Sequence, residues 1–150
     1  LAWARLTPLR ETLAQAYECA RSRLPPHKIL EAVVTCADPA GTPGACYMAA
    51  WIAESLGWKI GEGRIRIEVC RQNRPSSWLA IRLEGEGFLI TVERLADGAC
   101  DTRIGDSVRR TWFWQPSEAD LLAEELSLGA RDLVYPRCLP AAAEAARALG

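Results

Sequence analysis

Six cysteines, one histidine and a scatter of carboxylates are the groups in this sequence with the widest chemical reach. Nucleophilic catalysis needs a nucleophile beside a base. The only histidine, His27, follows Pro25-Pro26 at the edge of a short apolar run. Nothing in the spacing requires it to meet Cys36 or Cys46, and it reads as a surface-loop residue. Glu84, Glu86 and Glu93 flank a hairpin signal. An acid pair there would do general acid–base work, but a solvated turn and strand face explains the same residues. The cysteines stand at Cys19, Cys36, Cys46, Cys70, Cys100 and Cys138, with no Cys-x-x-Cys pair. Zinc sites usually carry a close pair, so this spacing opposes one. The cysteines can pair in many ways, and spacing does not choose among them. In a reducing compartment the default is reduced, half-buried thiols.

The segment Asp38-Pro39-Ala40-Gly41-Thr42-Pro43-Gly44-Ala45 joins a strand pattern to a helix pattern. A glycine-bearing helix N-terminus can hold an anion on its unpartnered N–H groups. The segment has neither the dinucleotide fingerprint nor the Gly-Lys-Ser/Thr of a phosphate loop, and Pro43 removes a donor. A capped turn is the main reading. A small-anion or sugar-phosphate sensor, or an enzyme, using the loop near Gly41–Ala45 is the alternative.

The elements that would position these groups follow from periodicity. Thr7 as N-cap and Pro8 at the first helical position open a helix carrying Leu9, Leu13, Ala16 and Tyr17. Ala2, Trp3 and Leu6 are expected to pack it into the core. Arg21 to Pro26 ends it. Ile29 to Val34 is a strand, and its nearly continuous apolar character implies cover on both faces. Thr42-Pro43 caps a second helix from about 44 to 56, stopped by Gly57. The period then becomes two. Strands are expected near 64–69, 78–83, 88–93, 100–104 and 108–114, joined by turns at Asn73-Arg74-Pro75, Gly85-Glu86-Gly87, Asp97-Gly98 and Gly105-Asp106. This reads as an antiparallel meander with one face in water. Ser117 and Asp120 form a capping box for a helix stopped by Gly129. An alanine-rich helix is expected from about Pro140 to Leu149. The fold class is therefore α+β, a mostly antiparallel sheet of about five or six strands with helices packed on one side.

The chain has 150 residues, 49% hydrophobic and 25% charged, which fits a single domain over 1–150 with its own core. It opens on Leu1 rather than Met, so an upstream region is expected. The longest apolar runs fall short of a membrane span, and no secretory signal is visible. A net charge of −1 opposes nucleic-acid binding by bulk electrostatics. Lys28 and Lys59 are the only lysines among 18 basic residues. Base composition of the genome accounts for such a bias, while arginine is also the better partner for carboxylates and phosphates.

Alternation places Arg64, Arg66, Glu68 and Cys70 on one face of a strand, Arg82 with Glu84 on the next, and Thr91 with Glu93 on a third. Cross-strand Arg–Glu pairs make an ordinary solvated face. The same arginines suit a docking surface. In Trp112-Phe113-Trp114 the two tryptophans share one face and Phe113 takes the other; one face can be core, and the other must be covered by a helix or a partner. Arg64, Arg66, Arg82, Trp112 and Trp114 are thus the partner-binding candidates.

Several stretches together resemble the glucose-6-phosphate dehydrogenase assembly protein family, OpcA. Leu1-Ala2-Trp3-Ala4-Arg5-Leu6-Thr7-Pro8-Leu9-Arg10 is similar to its leucine-alanine-tryptophan motif before a helix. Ala50-Trp51-Ile52-Ala53-Glu54-Ser55-Leu56-Gly57-Trp58 is similar to its second helix, and Leu121-Leu122-Ala123-Glu124-Glu125-Leu126 to a helix near its end. The matches keep the family order across nearly the whole chain. The resemblance implies the C-terminal domain of a longer protein. It implies a cytoplasmic, non-catalytic activator of glucose-6-phosphate dehydrogenase in the oxidative pentose phosphate pathway, without a cofactor. It also implies redox control through thioredoxin, for which Cys70 with Cys100, meeting across strands, and Cys36 with Cys46, flanking one loop, are the candidates. Pro136 and Pro140 fall where the family implies a continuous terminal helix, a departure from its pattern.

Overall fold

The first helix, α1 (Thr7–Ala20), grows directly out of a 3-10 turn at Ala4–Leu6. Leu6 therefore occupies the cap position, Thr7 is already helical, and Pro8 takes the second position, one residue later than expected. The Thr7 hydroxyl serves a tertiary contact instead: it accepts from Arg10 Nη2 at 2.9 Å and donates to Glu124 Oε1 at 3.1 Å. Trp3 and Leu6 are buried, as are Leu9, Leu13, Ala16 and Ala20 along one side of α1. The computed structural model describes residues 2–37, 41–70, 74–75, 77–95, 98–113, 116–128 and 132–149. Asp38 to Ala40, Asn73, Asp97, Trp114 and Gly129 lie outside them.

A 3-10 turn at Pro26–Lys28 leads into β1 (Ile29–Cys36). Helix α2 (Thr42–Leu56) follows, with Gly41 at its cap position. It ends as its glycine requires: Gly57 adopts φ 67°, and the Trp58 N–H reaches the Ala53 carbonyl at 2.9 Å. These are the marks of a Schellman stop, where a side chain at the left-handed position would be strained.

Strands β2 (Ile65–Val69), β3 (Leu79–Gly85), β4 (Phe88–Arg94), β5 (Ala99–Ile104) and β6 (Ser107–Trp112) complete one six-stranded sheet, ordered β2-β1-β3-β4-β5-β6. The antiparallel meander runs from β3 to β6. The expectation that the strand near 64–69 opens it is corrected: β2 lies parallel to β1, at the sheet border opposite β6. The reason is α2. Parallel neighbours need a crossover of a dozen or more residues, and α2 supplies it, making β1-α2-β2 a crossover unit.

Ala32, Val34, Cys36, Leu79, Ile81, Leu83, Ile90, Val92 and Cys100 form the sheet side of the core, against Leu9 and Leu13 of α1 and Met48, Ala49 and Ile52 of α2. All the helices stack on this side. The double cover expected for β1 is also corrected. Val33, on the opposite face, is shielded by its register neighbours Arg66 and Arg82 rather than by a helix. Long arginine stems cover apolar surface in this way while their heads stay in water.

The capping box at the start of α3 (Glu118–Leu128) forms as expected. Ser117 N–H donates to Asp120 Oδ2 at 3.0 Å, and Asp120 N–H donates back to Ser117 Oγ at 3.2 Å. Leu121 is buried, whereas Leu122 and Leu126 point outward. Helix α4 (Val134–Leu149) starts six residues earlier than expected and runs through both prolines. Pro136 lies in the first turn, where its N–H would have no helical partner. Pro140 removes one internal bond and leaves the helix continuous. Cys138, Ala142 and Ala145 pack α4 on Cys46 and Ala50 of α2. No helix among the described residues is long and apolar enough to cross a membrane.

Candidate protein-docking face

Stacking every helix on one side leaves the other face of the sheet, among the described residues, to its own side chains. Successive strand residues point to opposite faces. While Leu79, Ile81 and Leu83 go to the core, Ala80, Arg82 and Glu84 go outward. Register then brings Glu31, Val33, Thr35, Arg66, Glu68, Thr91, Glu93, Asp101, Arg103, Val108, Arg110 and Trp112 to this bare face.

Glu31 is the hub of its charged half. Arg66 grips it with two contacts, Nε to Oε1 at 2.8 Å and Nη2 to Oε2 at 3.0 Å. Arg82 approaches the same carboxylate at 3.8 Å and Glu84 at 3.7 Å. Farther along, Arg110 makes a two-pronged contact with Asp101, both bonds 2.6 Å. Those hydrogen bonds hold the Asp101 carboxyl below the usual carboxylate range. Between the two groups lies a depression of about 280 Å³. Val33, Thr35, Ala80 and Thr91 give it a small, nearly neutral floor, and Glu68, Arg82 and Glu93 stand at its rim. The Trp78 indole donates to Glu93 at 2.7 Å, which fixes one wall.

The sequence candidates separate on this map. Arg66, Arg82 and Trp112 share the bare face. Trp112 is 64% exposed, while Phe113 turns to the core. Arg64 works as a brace: its guanidinium lies 3.9 Å over the Trp58 ring and donates to the Ile29 carbonyl. Trp114 lies outside the described residues. Sequence reasoning placed Glu68 on this face but missed Glu31 and Val108. The alternation of Glu31, Val33 and Thr35 was the available signal, masked by reading β1 as covered on both faces.

The chemical candidates do not assemble. Exposed His27 lies in the turn before β1 and Cys36 ends that strand, whose length, about 23 Å from Ile29 to Cys36 at strand rise, separates them. Glu84 and Glu93 stand about 14 Å apart, since Glu93 pairs with Ala80 four residues before Glu84. No metal-holding group of side chains occurs among the described residues. Cys70 and Cys100 cannot meet as expected: β1, β3 and β4 lie between their strands, a separation of about 19 Å, and a disulfide spans about 4–7 Å between Cα atoms. Cys36 and Cys46 are both buried in the core. Burial raises the Cys46 thiol, with Cys36 adding to the rise, and burial pushes Cys100 and Cys138 to about 11. At the start of α2, Pro43 leaves one donor fewer.

A broad, partly charged face with a shallow depression suits a macromolecular partner better than a metabolite, which favours deep, mostly apolar pockets. No curated protein and no solved structure matches the chain. A family model describing the C-terminal domain of a glucose-6-phosphate dehydrogenase subunit matches residues 1–139. The Leu1–Arg10, Ala50–Trp58 and Leu121–Leu126 motifs all fall inside that match, and the chain belongs to this family of glucose-6-phosphate dehydrogenase subunits.

Proposed function

We propose that the chain is a non-catalytic docking domain, one part of a longer subunit, that binds glucose-6-phosphate dehydrogenase through the bare sheet face. Binding the active or assembled form better than the inactive one would shift the enzyme toward activity. The observation that carries this reading is the uncovered face itself. At strand spacing its six strands span roughly 24 Å by 20 Å, the scale of a protein patch. Arg66, Arg82 and the exposed Trp112 are its leading contacts.

The test pairs binding with stability. Arg66→Gln with Arg82→Gln, which remove the charges without setting new carboxylates beside Glu31, and separately Trp112→Ala, should weaken association with the purified dehydrogenase about tenfold or more, since arginine and tryptophan dominate interfaces. The unfolding midpoint should barely move, because exposed ion pairs contribute only about 0–1 kcal/mol. Binding unchanged in all variants would reject this face.

The reading includes a cytoplasmic setting, in which thiols stay reduced. Thioredoxin as a second partner rests on the resemblance alone. The raised, buried thiols at Cys46 and Cys100 oppose it, because exchange proceeds through an accessible thiolate. The sugar-phosphate alternative at Gly41–Ala45 gains no support from the Pro43-bearing helix start.

A further inference from the structure

Strand β6 forms one border of the sheet, and five of its six residues are exposed. Its pairing with β5 fixes which backbone groups face inward. Gly105-Asp106 makes a two-residue turn closed by Ile104 and Ser107. Hydrogen-bonded and non-bonded pairs alternate from such a turn, so Ser107, Arg109 and Thr111 bond β5. The Phe113 N–H to Gly98 carbonyl bond, at 3.0 Å, keeps the same phase. The N–H and C=O groups of Val108 and Trp112 therefore point away from the sheet. These are also the two large apolar side chains most exposed on the bare face at this border, at 57% and 64%.

Sheet borders are ordinarily blunted by proline, a bulge or a cover. Strand β6 has no proline, its register with β5 is continuous, and among the described residues no element other than β5 packs extensively against it. Its remaining guard is charge. Arg109 and Arg103 make no ion pair among the described residues, and Arg110 sits beside Arg109 in the strand. Antiparallel pairing of β6 with a second copy, centre on centre, sets Arg109 against Arg109 or Arg110 against Arg110. Like charges directly opposite are destabilising. The border thus repels its own copy and attracts a strand of opposite charge.

We propose that β6 is a strand-addition site for an extended segment of the dehydrogenase. The segment lies antiparallel to β6, with an acidic residue opposite Arg109 and apolar residues opposite Val108 and Trp112. Backbone bonds to Val108 and Trp112 supply the alignment, and the flanking side chains supply the choice of sequence. This inference rests on the docking function proposed above and names the mode by which one border of the same face is used.

Residue-resolved amide exchange, with and without the purified dehydrogenase, tests it. Strand addition gives a period-two signature: the Val108 and Trp112 amides gain protection, while those of Arg109 and Thr111, already bonded to β5, do not change. Val108→Pro removes an outward donor without touching a β5–β6 bond, and Arg109→Glu reverses the charge. Each should weaken the complex about tenfold, with Val108→Ala much milder. Complex formation with no new protection at Val108 and Trp112 would overturn strand addition while leaving the docking function standing. Concentration-dependent self-association through β6, without the enzyme, would assign the border to a second copy and also overturn it. No complex at all would reject both.

Discussion

Asp132 ties the two ends of the chain together. Its Oδ2 accepts from the Trp3 indole at 2.7 Å, and its Oδ1 accepts from the N–H groups of Val134 and Tyr135 at 2.8 and 3.0 Å. It is thus both the cap of α4 and the anchor of the N-terminal turn. Arg10 lies 3.7 Å over the same indole. Burial pushes the Asp132 carboxyl up, but these hydrogen bonds and the nearby Arg10 outweigh it and leave the group below its ordinary 3.8. A carboxyl depressed on folding contributes stability above its unfolded pKa and loses it as pH falls through the folded value. Asp132→Ala should therefore lower stability by about 1–2 kcal/mol at pH 7. The difference should shrink below about pH 4 as the wild-type carboxyl protonates. Urea unfolding followed by tryptophan fluorescence, from pH 7 stepwise down through the acid range, measures it; a gap that does not narrow at all as pH falls below about 4 would remove the carboxylate from the account. This role was not legible in the sequence. Asp132 sits at cap spacing before Val134, but Pro136 and Pro140 made the stretch read as a break, and a tertiary bond to Trp3, 129 positions away, leaves no local trace.

Elements with a clear period were legible, and their connections were legible only where the linking chain is short. The β3–β6 hairpins follow from tight turns that allow only antiparallel neighbours. Strand β2 carries the same alternation as its neighbours, so the period alone could not show that α2 carries the chain to the far side of β1. The seat of β1 depends on a close approach equally hidden from periodicity. A Cβ built on Gly85, at the end of β3, would lie 2.6 Å from the Lys28 carbonyl oxygen and overlap the Leu24 side chain. The Lys28 oxygen belongs to the backbone of the turn that launches β1, so it cannot swing aside. Gly85→Ala should destabilise by about 2 kcal/mol through overpacking, a fall of roughly 4–8 °C in Tm for a chain this size. Gly87→Ala separates the two kinds of glycine demand: nothing crowds its Cβ, and only its φ of 68° is strained. It should cost about 1 kcal/mol. Equal losses in thermal melts of the two variants would show that crowding at Gly85 is relieved by movement of the turn.

At the scale of the whole molecule, apolar and charged surfaces are sorted by layer. The helices and the inner sheet face hold the core, while much of the ion pairing lies on the outer face. Half of the candidate site was readable because alternation fixes which strand residues share a face. Its hub at Glu31 was not, because a strand between two neighbours and a strand between two helices look alike in sequence. This sorting predicts that folding and binding answer salt differently. The pairs on the bare face are substantially exposed, Arg66 at 51% and Arg82 at 44%, so screening them removes little folding energy. Raising sodium chloride from about 0.1 to 1 M shortens the Debye length from about 10 to 3 Å. The unfolding free energy should change by less than about 1 kcal/mol, since burial of apolar area carries the fold. Association with the dehydrogenase should slow by about tenfold or more over the same range, because complementary charge acts on encounter. Stopped-flow association and urea unfolding in matched buffers measure the two quantities. If association is indifferent to salt while Trp112→Ala still abolishes it, the arginines only shield Val33 and the exposed apolar border at Val108 and Trp112 carries the contact. If salt unfolds the chain instead, the Glu31 hub holds the sheet together and its place in docking is lost.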